Sequence, residues 1–322
     1  MRRSITALIL SQLTAAGLTA CSTNHKPADP APSATVPTPP SAAAPTPTAG
    51  QRGDAAVGET CRNDDDCVPG LYCQLGFDGA EFSETGSCVT TPPIYEGRPL
   101  VIHGAPRLAE LVASSAWSNP AEPALLDDRA HGLSPWASRW LAAGREEHAS
   151  IAAFAHTCRS LLALGAPPAL VAANLRALHD EIRHATISFG WVEALAGDHR
   201  GPGALALDDL GMDPRALLDD LFWGGCVGET LAAHRAIERS AHAPSEAMAE
   251  SYRHIARDEA RHAALAFRGV AWLVEAYPEL RPALATARAS FERRASVADR
   301  AKLLPLLAVL EPAPRLEVRA HA

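Results

Sequence analysis

Lysine, basic runs and long apolar stretches are scarce in this chain of 322 residues. Lysine occurs only at Lys26 and Lys302, and the formal net charge is −8. Because nucleic-acid-binding surfaces are rich in basic side chains, this balance predicts no nucleic-acid partner. After residue 21, no stretch is long and apolar enough to suggest a transmembrane helix. No Cys-x-x-Cys pair occurs either, which argues against a compact thiolate metal site.

The first 21 residues have the pattern of an export signal. Arg2 and Arg3 precede an apolar segment, and the small residues of Leu-Thr-Ala precede Cys21. This pattern resembles the bacterial lipoprotein signal, in which the cysteine is lipidated and becomes the mature N-terminus. The resemblance implies a chain that is lipid-anchored in the bacterial cell envelope, and Ser22 implies the outer membrane. An ordinary signal peptide with an incidental cysteine is the alternative.

Two segments of different composition follow the signal. Residues 22–56 are rich in Pro, Ala and Thr, which predicts a disordered linker. Residues 57–92 carry four cysteines, namely Cys61, Cys67, Cys73 and Cys88. An exported segment that is too small for its own core is usually held by disulfides, so two are expected, in one of three pairings. A metal site is the alternative. This module resembles small cysteine-rich repeats of bacterial surface proteins, which implies a spacer or a site for a surface protein partner.

Residues 134–297 have the periodicity and punctuation of long amphipathic helices, which predicts an all-α fold. A connector at 93–133 precedes them, and a tail at 298–322 follows. Four helices of about 30 residues are expected. They are bounded by Pro and Gly and cover about 135–164, 167–196, 214–243 and 245–277, with a shorter helix at about 279–296. One long connection separates the second helix from the third.

A glutamate occupies the middle of the apolar stripe in the first, third and fourth helices, as Glu147, Glu229 and Glu259. On the second helix, Glu181 and His184 lie toward one side of a broader apolar arc. Four bare carboxylates in a helical core would each cost several kcal/mol to desolvate, and their mutual repulsion adds to that. Either these groups are protonated or cations neutralise them.

Two pentads, Asp-Glu-Ile-Arg-His at 180–184 and Asp-Glu-Ala-Arg-His at 258–262, occur in this helical region. Residues three apart share one helix face, so Glu181 with His184 and Glu259 with His262 can each bind one metal ion. Two divalent ions would neutralise four glutamates. The predicted metal ligands are Glu147, Glu181, His184, Glu229, Glu259 and His262.

This ligand order, with Glu on the first and third helices and Glu-x-x-His on the second and fourth, resembles the ferritin-like diiron-carboxylate superfamily of rubrerythrins and diiron oxygenases. The resemblance covers about 135–277. It implies a ferritin-like four-helix bundle with a long crossover, two iron ions as cofactors (manganese or zinc being alternatives) and an oxidoreductase that reacts with O2 or peroxide. An external reductant is then expected, because no cysteine pair supplies electrons internally. A non-catalytic metal-binding or structural surface lipoprotein is the alternative.

Several residues beside the ligands are expected to support them. Asp180 and Asp258 stand four residues before the two histidines and are expected to accept a hydrogen bond from the ring nitrogen that faces away from the metal. Arg183 and Arg261 are candidates to pair with these aspartates, or are ordinary surface residues. Tyr252, two turns from Glu259, is either a redox-active group or a core tyrosine.

Three glycines, Gly224, Gly225 and Gly228, lie within the five residues before Glu229 and weaken the helix there. Two interpretations are open. The glycines permit a local bulge or a small pocket beside the metals, or they permit close packing against a neighbouring helix.

Overall fold

The structure is a computed structural model that describes a defined part of the chain. The described residues are 11, 55–56, 58–61, 72–77, 82–89, 97–102, 105–118, 134–207 and 213–310. Most of them are helical, which confirms the prediction of a mainly α-helical chain. Among them, no helix has both the length and the apolarity needed to cross a lipid bilayer. Cys21, Cys67, most of the linker and the last twelve residues lie outside the described part.

Four long helical segments are followed by two shorter helices. They are α1 (Pro135–Ala163), α2 (Pro168–Ala196), a third segment made of α3 (Pro214–Asp220), a π-helix (Leu221–Glu229) and α4 (Thr230–Ala241), then α5 (Glu246–Ala276), α6 (Arg281–Arg294) and α7 (Val297–Leu307). Short 3-10 turns occupy Pro278–Leu280 and Ala308–Leu310. Helix α1 packs along α2, the π-helix and α4 pack along α5, and α2 also packs against α5.

The helix ends follow local sequence signals. Ser134, Asp213 and Ser245 cap α1, α3 and α5, each accepting a hydrogen bond from a backbone N–H in the first turn. After α1 and α2 the chain reverses at Gly165 and Gly197, whose φ values of 70° and 61° lie in the left-handed region that glycine tolerates best. These signals explain why the long helices begin and end within a few residues of the positions expected from the sequence.

One hydrophobic core joins all the helices. Its largest fully buried side chains include Trp140 of α1, Phe222 of the π-helix and Phe267 of α5. Each such side chain stabilises the fold by about 1.5–3 kcal/mol. Helix α7 contributes Leu303, Leu306 and Leu307 to the same core. The helical core therefore extends past residue 297, where the sequence analysis had ended it.

The third segment is π-helical immediately before Glu229, so the local bulge that the glycines suggested is present. A Cβ added at Gly225 would lie 2.3 Å from Cβ of Ala266 on α5. The space next to Gly225 is therefore filled by the neighbouring helix, and a small pocket at this position is excluded. The close helix packing therefore requires glycine at this position.

The cysteine-rich module contains a small antiparallel sheet. Its strands are β1 (Thr60–Cys61), β2 (Tyr72–Phe77) and β3 (Phe82–Val89), in the order β1-β3-β2. In the register of β2 and β3, Cys73 lies opposite Cys88. Cys61 and Cys88 are both buried and disulfide-bonded. This favours the disulfide interpretation of the module over the metal site.

The connector forms two short antiparallel strand pairs, one within itself and one with the connection that follows α2. Strand β4 (Val101–Ile102) pairs with β5 (Ala105–Pro106). Strand β6 (Leu111–Ala113) pairs with β7 (Arg200–Pro202), which follows α2. The connector is thus tied to the helical part by backbone hydrogen bonds.

Gly225→Ala is expected to destabilise the native state by about 1–3 kcal/mol, because the added Cβ would overlap Ala266. Urea unfolding measures this change. As a matched control, Ala266→Gly removes the contact partner and costs about 1 kcal/mol through helix propensity, in addition to the packing of its buried methyl group. The double variant should be more stable than the sum of the two single effects predicts. Simple additivity would contradict close packing as the reason for the glycine.

Candidate metal centre

The structure brings the six predicted ligands together in the helical core. They come from α1 (Glu147), α2 (Glu181, His184), the end of the π-helix (Glu229) and α5 (Glu259, His262). Five of them are at most 2% exposed, and the side chain of Glu147 is 17% exposed. Although the sequence placed Glu181 and His184 at the side of an apolar arc, both are fully buried, because α5 packs over that side of α2.

The six residues form two overlapping groups, each with four ligand atoms within 4.8 Å of one another. We call them the first metal position (Glu147, Glu181, His184, Glu259) and the second metal position (Glu181, Glu229, Glu259, His262). Glu181 and Glu259 belong to both. The sequence had paired each of these glutamates with the histidine on its own helix, whereas the structure lets both glutamates bridge the two positions.

The contacts between these groups show how the bridging arises. Nδ1 of His262 lies 2.9 Å from Oε1 of Glu181 and 3.5 Å from Oε2 of Glu259. Nδ1 of His184 lies 3.2 Å from Oε1 of Glu259 and 3.9 Å from Oε2 of Glu181. Each glutamate therefore directs one oxygen toward each histidine.

The inward-facing atoms fit a metal better than they fit one another. Five buried atoms of the cluster make no hydrogen bond of good geometry among the described residues, although some of them lie close to one another: Glu181 Oε1, His184 Nδ1, Glu229 Oε1, Glu259 Oε2 and His262 Nδ1. Ligands about 2.1 Å from a shared ion and at right angles to each other stand about 3 Å apart. The 2.9 and 3.2 Å contacts match that spacing. The cluster can therefore hold metal ions, and carboxylate with imidazole suits iron, manganese or zinc.

The outward-facing histidine nitrogens bind the two aspartates across the helix pair. Nε2 of His184 lies 3.2 Å from Asp258, and Nε2 of His262 lies 3.2 Å from Asp180. The sequence had paired each aspartate with the histidine four residues later on its own helix, and that pairing is wrong. Because each Nδ1 faces the ligand cluster, each Nε2 reaches across to the facing helix.

Arg183 and Arg261 each contact both aspartates rather than standing free at the surface. Arg183 donates to Asp180 at 2.8 Å and to Asp258 at 2.5 Å. Arg261 donates to Asp258 and lies 3.5 Å from Asp180. Residues near 180 thus meet residues near 262, while residues near 184 meet residues near 258. The two helices are therefore antiparallel at this level.

Burial and mutual repulsion control the protonation of the cluster. Burial, followed by the charge of Glu259, raises the pKa of Glu181 and of Glu229 well above the usual range. Burial alone would lower the pKa of His184, but its contacts with Asp258 and the neighbouring glutamates raise it well above the usual range. Burial alone would raise the pKa of Asp258, but the hydrogen bond with His184 outweighs burial, so the pKa is lowered. Without metal, the chain therefore retains protons at this site.

A small cavity of about 50 Å³ adjoins the first metal position. Glu147, Glu259, Glu146 and Tyr252 are among its lining residues. Burial, followed by the charge of Glu147, raises the pKa of Glu146 to about 8, so this carboxyl holds a proton at neutral pH. Tyr252 is buried and stacks on Trp140 with ring centroids 4.3 Å apart. Burial raises its pKa to about 12, so the hydroxyl stays protonated.

Sequence reasoning missed Arg98 near this centre. Arg98 is 2% exposed and stands over the ring of Phe154, with 4.7 Å from its Cζ to the ring centroid. That ring meets His262 edge-on, with centroids 5.3 Å apart. A single arginine in an irregular connector has no periodic pattern around it, so no signal in the sequence marks it as buried.

In metal-free protein, the double variant Glu181→Gln, Glu229→Gln is expected to gain stability relative to the wild type as pH rises. Both folded-state pKa values lie above the unfolded value, so the stabilising protonated form is complete below about pH 4.3 and is lost as pH rises. Glutamine cannot lose that proton. The difference should grow by about 1–2 kcal/mol between about pH 5 and pH 8, measured by urea unfolding with a chelator present. A difference that is constant or of opposite sign would contradict the raised pKa values.

Comparisons of this chain with models of known protein families, with curated proteins and with solved structures found no match.

Proposed function

We propose that this chain binds two metal ions, most suitably iron, in a ferritin-like four-helix bundle and uses them as an oxidoreductase with O2 or peroxide. The observation that carries the proposal is the convergence, from three separate helical segments, of five buried donor atoms that make no well-oriented hydrogen bond among the described residues. Burying such atoms without well-formed hydrogen bonds costs up to about 1–3 kcal/mol each, so a core that retains them is better satisfied by a bound ligand. Metal ions are the ligands that carboxylate and imidazole donors fit together.

The charge balance supports two divalent ions. The two positions contain four glutamates and two histidines. Once the glutamates are ionised and the histidines neutral, two divalent ions bring the formal charge of the cluster to zero. Metal binding therefore releases the protons that the metal-free site retains.

The arrangement of the segments supports the ferritin-like assignment. The ligands occur on four long helical segments in the order Glu, Glu-x-x-His, Glu, Glu-x-x-His, and the long connection falls between the second and third segments. In bundles of this kind the ligands project inward from facing helices. The burial of Glu181, Glu229 and Glu259 is consistent with that geometry.

The residues of this chain would act as follows. Glu181 and Glu259 would hold both ions, while Glu147 and Glu229 would each complete one position. The aspartates, through their contacts with Nε2, keep each imidazole oriented with Nδ1 toward the other ligand residues, where it would hold an ion. Bound iron would supply electrons to O2 or peroxide and accept them again from a reductant. Glu146 lines the adjoining cavity, so it would be placed to exchange a proton with a small molecule bound there.

The cellular setting follows from the N-terminal pattern. The signal ending in Cys21 supports a lipid-anchored protein of the bacterial envelope, in which the segment rich in Pro, Ala and Thr would serve as the linker to the rest of the chain. Electrons would come from an external donor. The cysteine-rich module would serve as a spacer or contact a surface protein.

Anaerobic loading with Fe²⁺ followed by exposure to air is expected to produce a new charge-transfer absorption band of oxidised iron. Absorption spectroscopy with metal analysis of the exported protein checks this outcome. A non-catalytic metal protein would bind Zn²⁺ or Mn²⁺ and show no band after iron loading and air. Folded protein that binds none of these ions would reject the metal centre altogether.

Single ligand variants are expected to separate the two metal positions. Glu147→Gln should abolish one position and Glu229→Gln the other, whereas Glu181→Gln should weaken both, because Glu181 belongs to both groups. Isothermal titration with Co²⁺ gives the stoichiometry of each variant. Glu146→Gln is the matched control, since Glu146 lies beside Glu147 but is in neither group of described residues. Loss of a metal in this control, or two bound ions in Glu181→Gln at wild-type affinity, would contradict the assignment.

A further inference from the structure

Arg98 is a buried cation that lies outside the two metal positions. Its Nη2 donates to Oγ1 of Thr157 on α1 at 2.5 Å and also to Asp220, and its Nε lies 3.3 Å from Asp220. The hydroxyl of Thr157 is in turn 3.0 Å from the same carboxylate. Arg98 therefore joins the connector, α1 and the last residue of α3 in one polar cluster.

The backbone next to Arg98 docks on the π-helix. The N–H of Gly97 donates to the carbonyl of Gly228 at 3.1 Å. A Cβ added at Gly228 would lie 2.0 Å from the carbonyl oxygen of Gly97, and a Cβ at Gly224 would lie 2.8 Å from Cγ of Arg98. These two glycines, one helical turn apart, thus leave room for the connector to lie directly on the segment that carries Glu229.

Both ends of the π-helix are therefore held by the connector. Asp220, which precedes its first residue, is paired with Arg98, and Gly228, which precedes Glu229, is hydrogen-bonded to Gly97. A π-helix is less stable than an α-helix and persists where its surroundings impose it. Releasing the connector should let this segment relax and move the carboxylate of Glu229.

We propose that Arg98 is a positioning residue for the second metal position, which it completes by holding the π-helix and hence Glu229 in place. This inference rests on the proposed function. The first metal position contains no residue of the π-helix, so it should not depend on Arg98. Metal binding at one of the two positions would then report whether the connector between the cysteine-rich module and the helices is docked.

The test is a Co²⁺ titration of the full chain, in which absorption in the visible range reports the coordination of each bound ion. Arg98→Met is expected to weaken one of the two ions at least tenfold and to alter its absorption spectrum, while the other ion binds as in the wild type. Arg98→Lys, which restores the charge, should recover part of the affinity. Arg159→Met, an exposed arginine on α1, is the matched control and should leave both ions unchanged.

Hydrogen exchange gives a second readout that does not need metal. In Arg98→Met, amides of Leu221–Glu229 should exchange faster than in the wild type, while those of α2 should not change. If Arg98→Met does not fold, Asp220→Asn tests the same contact from the other side, with the same expected result. Two Co²⁺ ions bound at wild-type affinity, with unchanged exchange, would overturn the inference and leave the metal centre intact. Wild-type protein that binds no Co²⁺ would instead reject the proposed function.

Discussion

The burial of three carboxylates beside a fourth, partly exposed one in a single helical core is the constraint on which the rest of the site depends. Glu181, Glu229 and Glu259 are almost completely shielded from water, at a desolvation cost that packing alone does not offset. The metal-free chain meets this cost with protons and with contacts to two histidines. Metal ions would meet it with positive charge, and the inward-facing atoms that make no well-oriented hydrogen bond are those that such ions would bind.

The supporting contacts serve this cluster from two sides. On one side, Asp180, Asp258, Arg183 and Arg261 form a crossed network that binds the outward nitrogens of the histidines. On the other, the glycines of the π-helix admit both α5 and the connector, so that Glu229 is presented from a segment with unusual geometry. Rigid support of this kind is what holds ligands at metal-binding distances.

Much of the fold was predictable because its signals are local. Serine and aspartate caps, prolines in first turns and glycines after helix ends mark the boundaries of the long helices, and they act over a few residues. The candidate ligands were also predictable, since a glutamate in the middle of an apolar stripe is costly without a partner. Helix α7 was not expected, because its leucines show no clear amphipathic period around Pro305.

The sequence by itself determined the helical class, the approximate helix bounds and the six residues that meet in the core, because each follows from periodicity and local chemistry. Only the tertiary structure decided which atoms face each other. It placed Glu181 and Glu259 between the two metal positions. Each aspartate contacts the histidine of the facing antiparallel helix rather than the one on its own helix. Arg98 of the connector contacts Asp220, 122 residues away. Such contacts depend on how the helices pack against one another, and packing between distant segments cannot be read from the local sequence around any one residue.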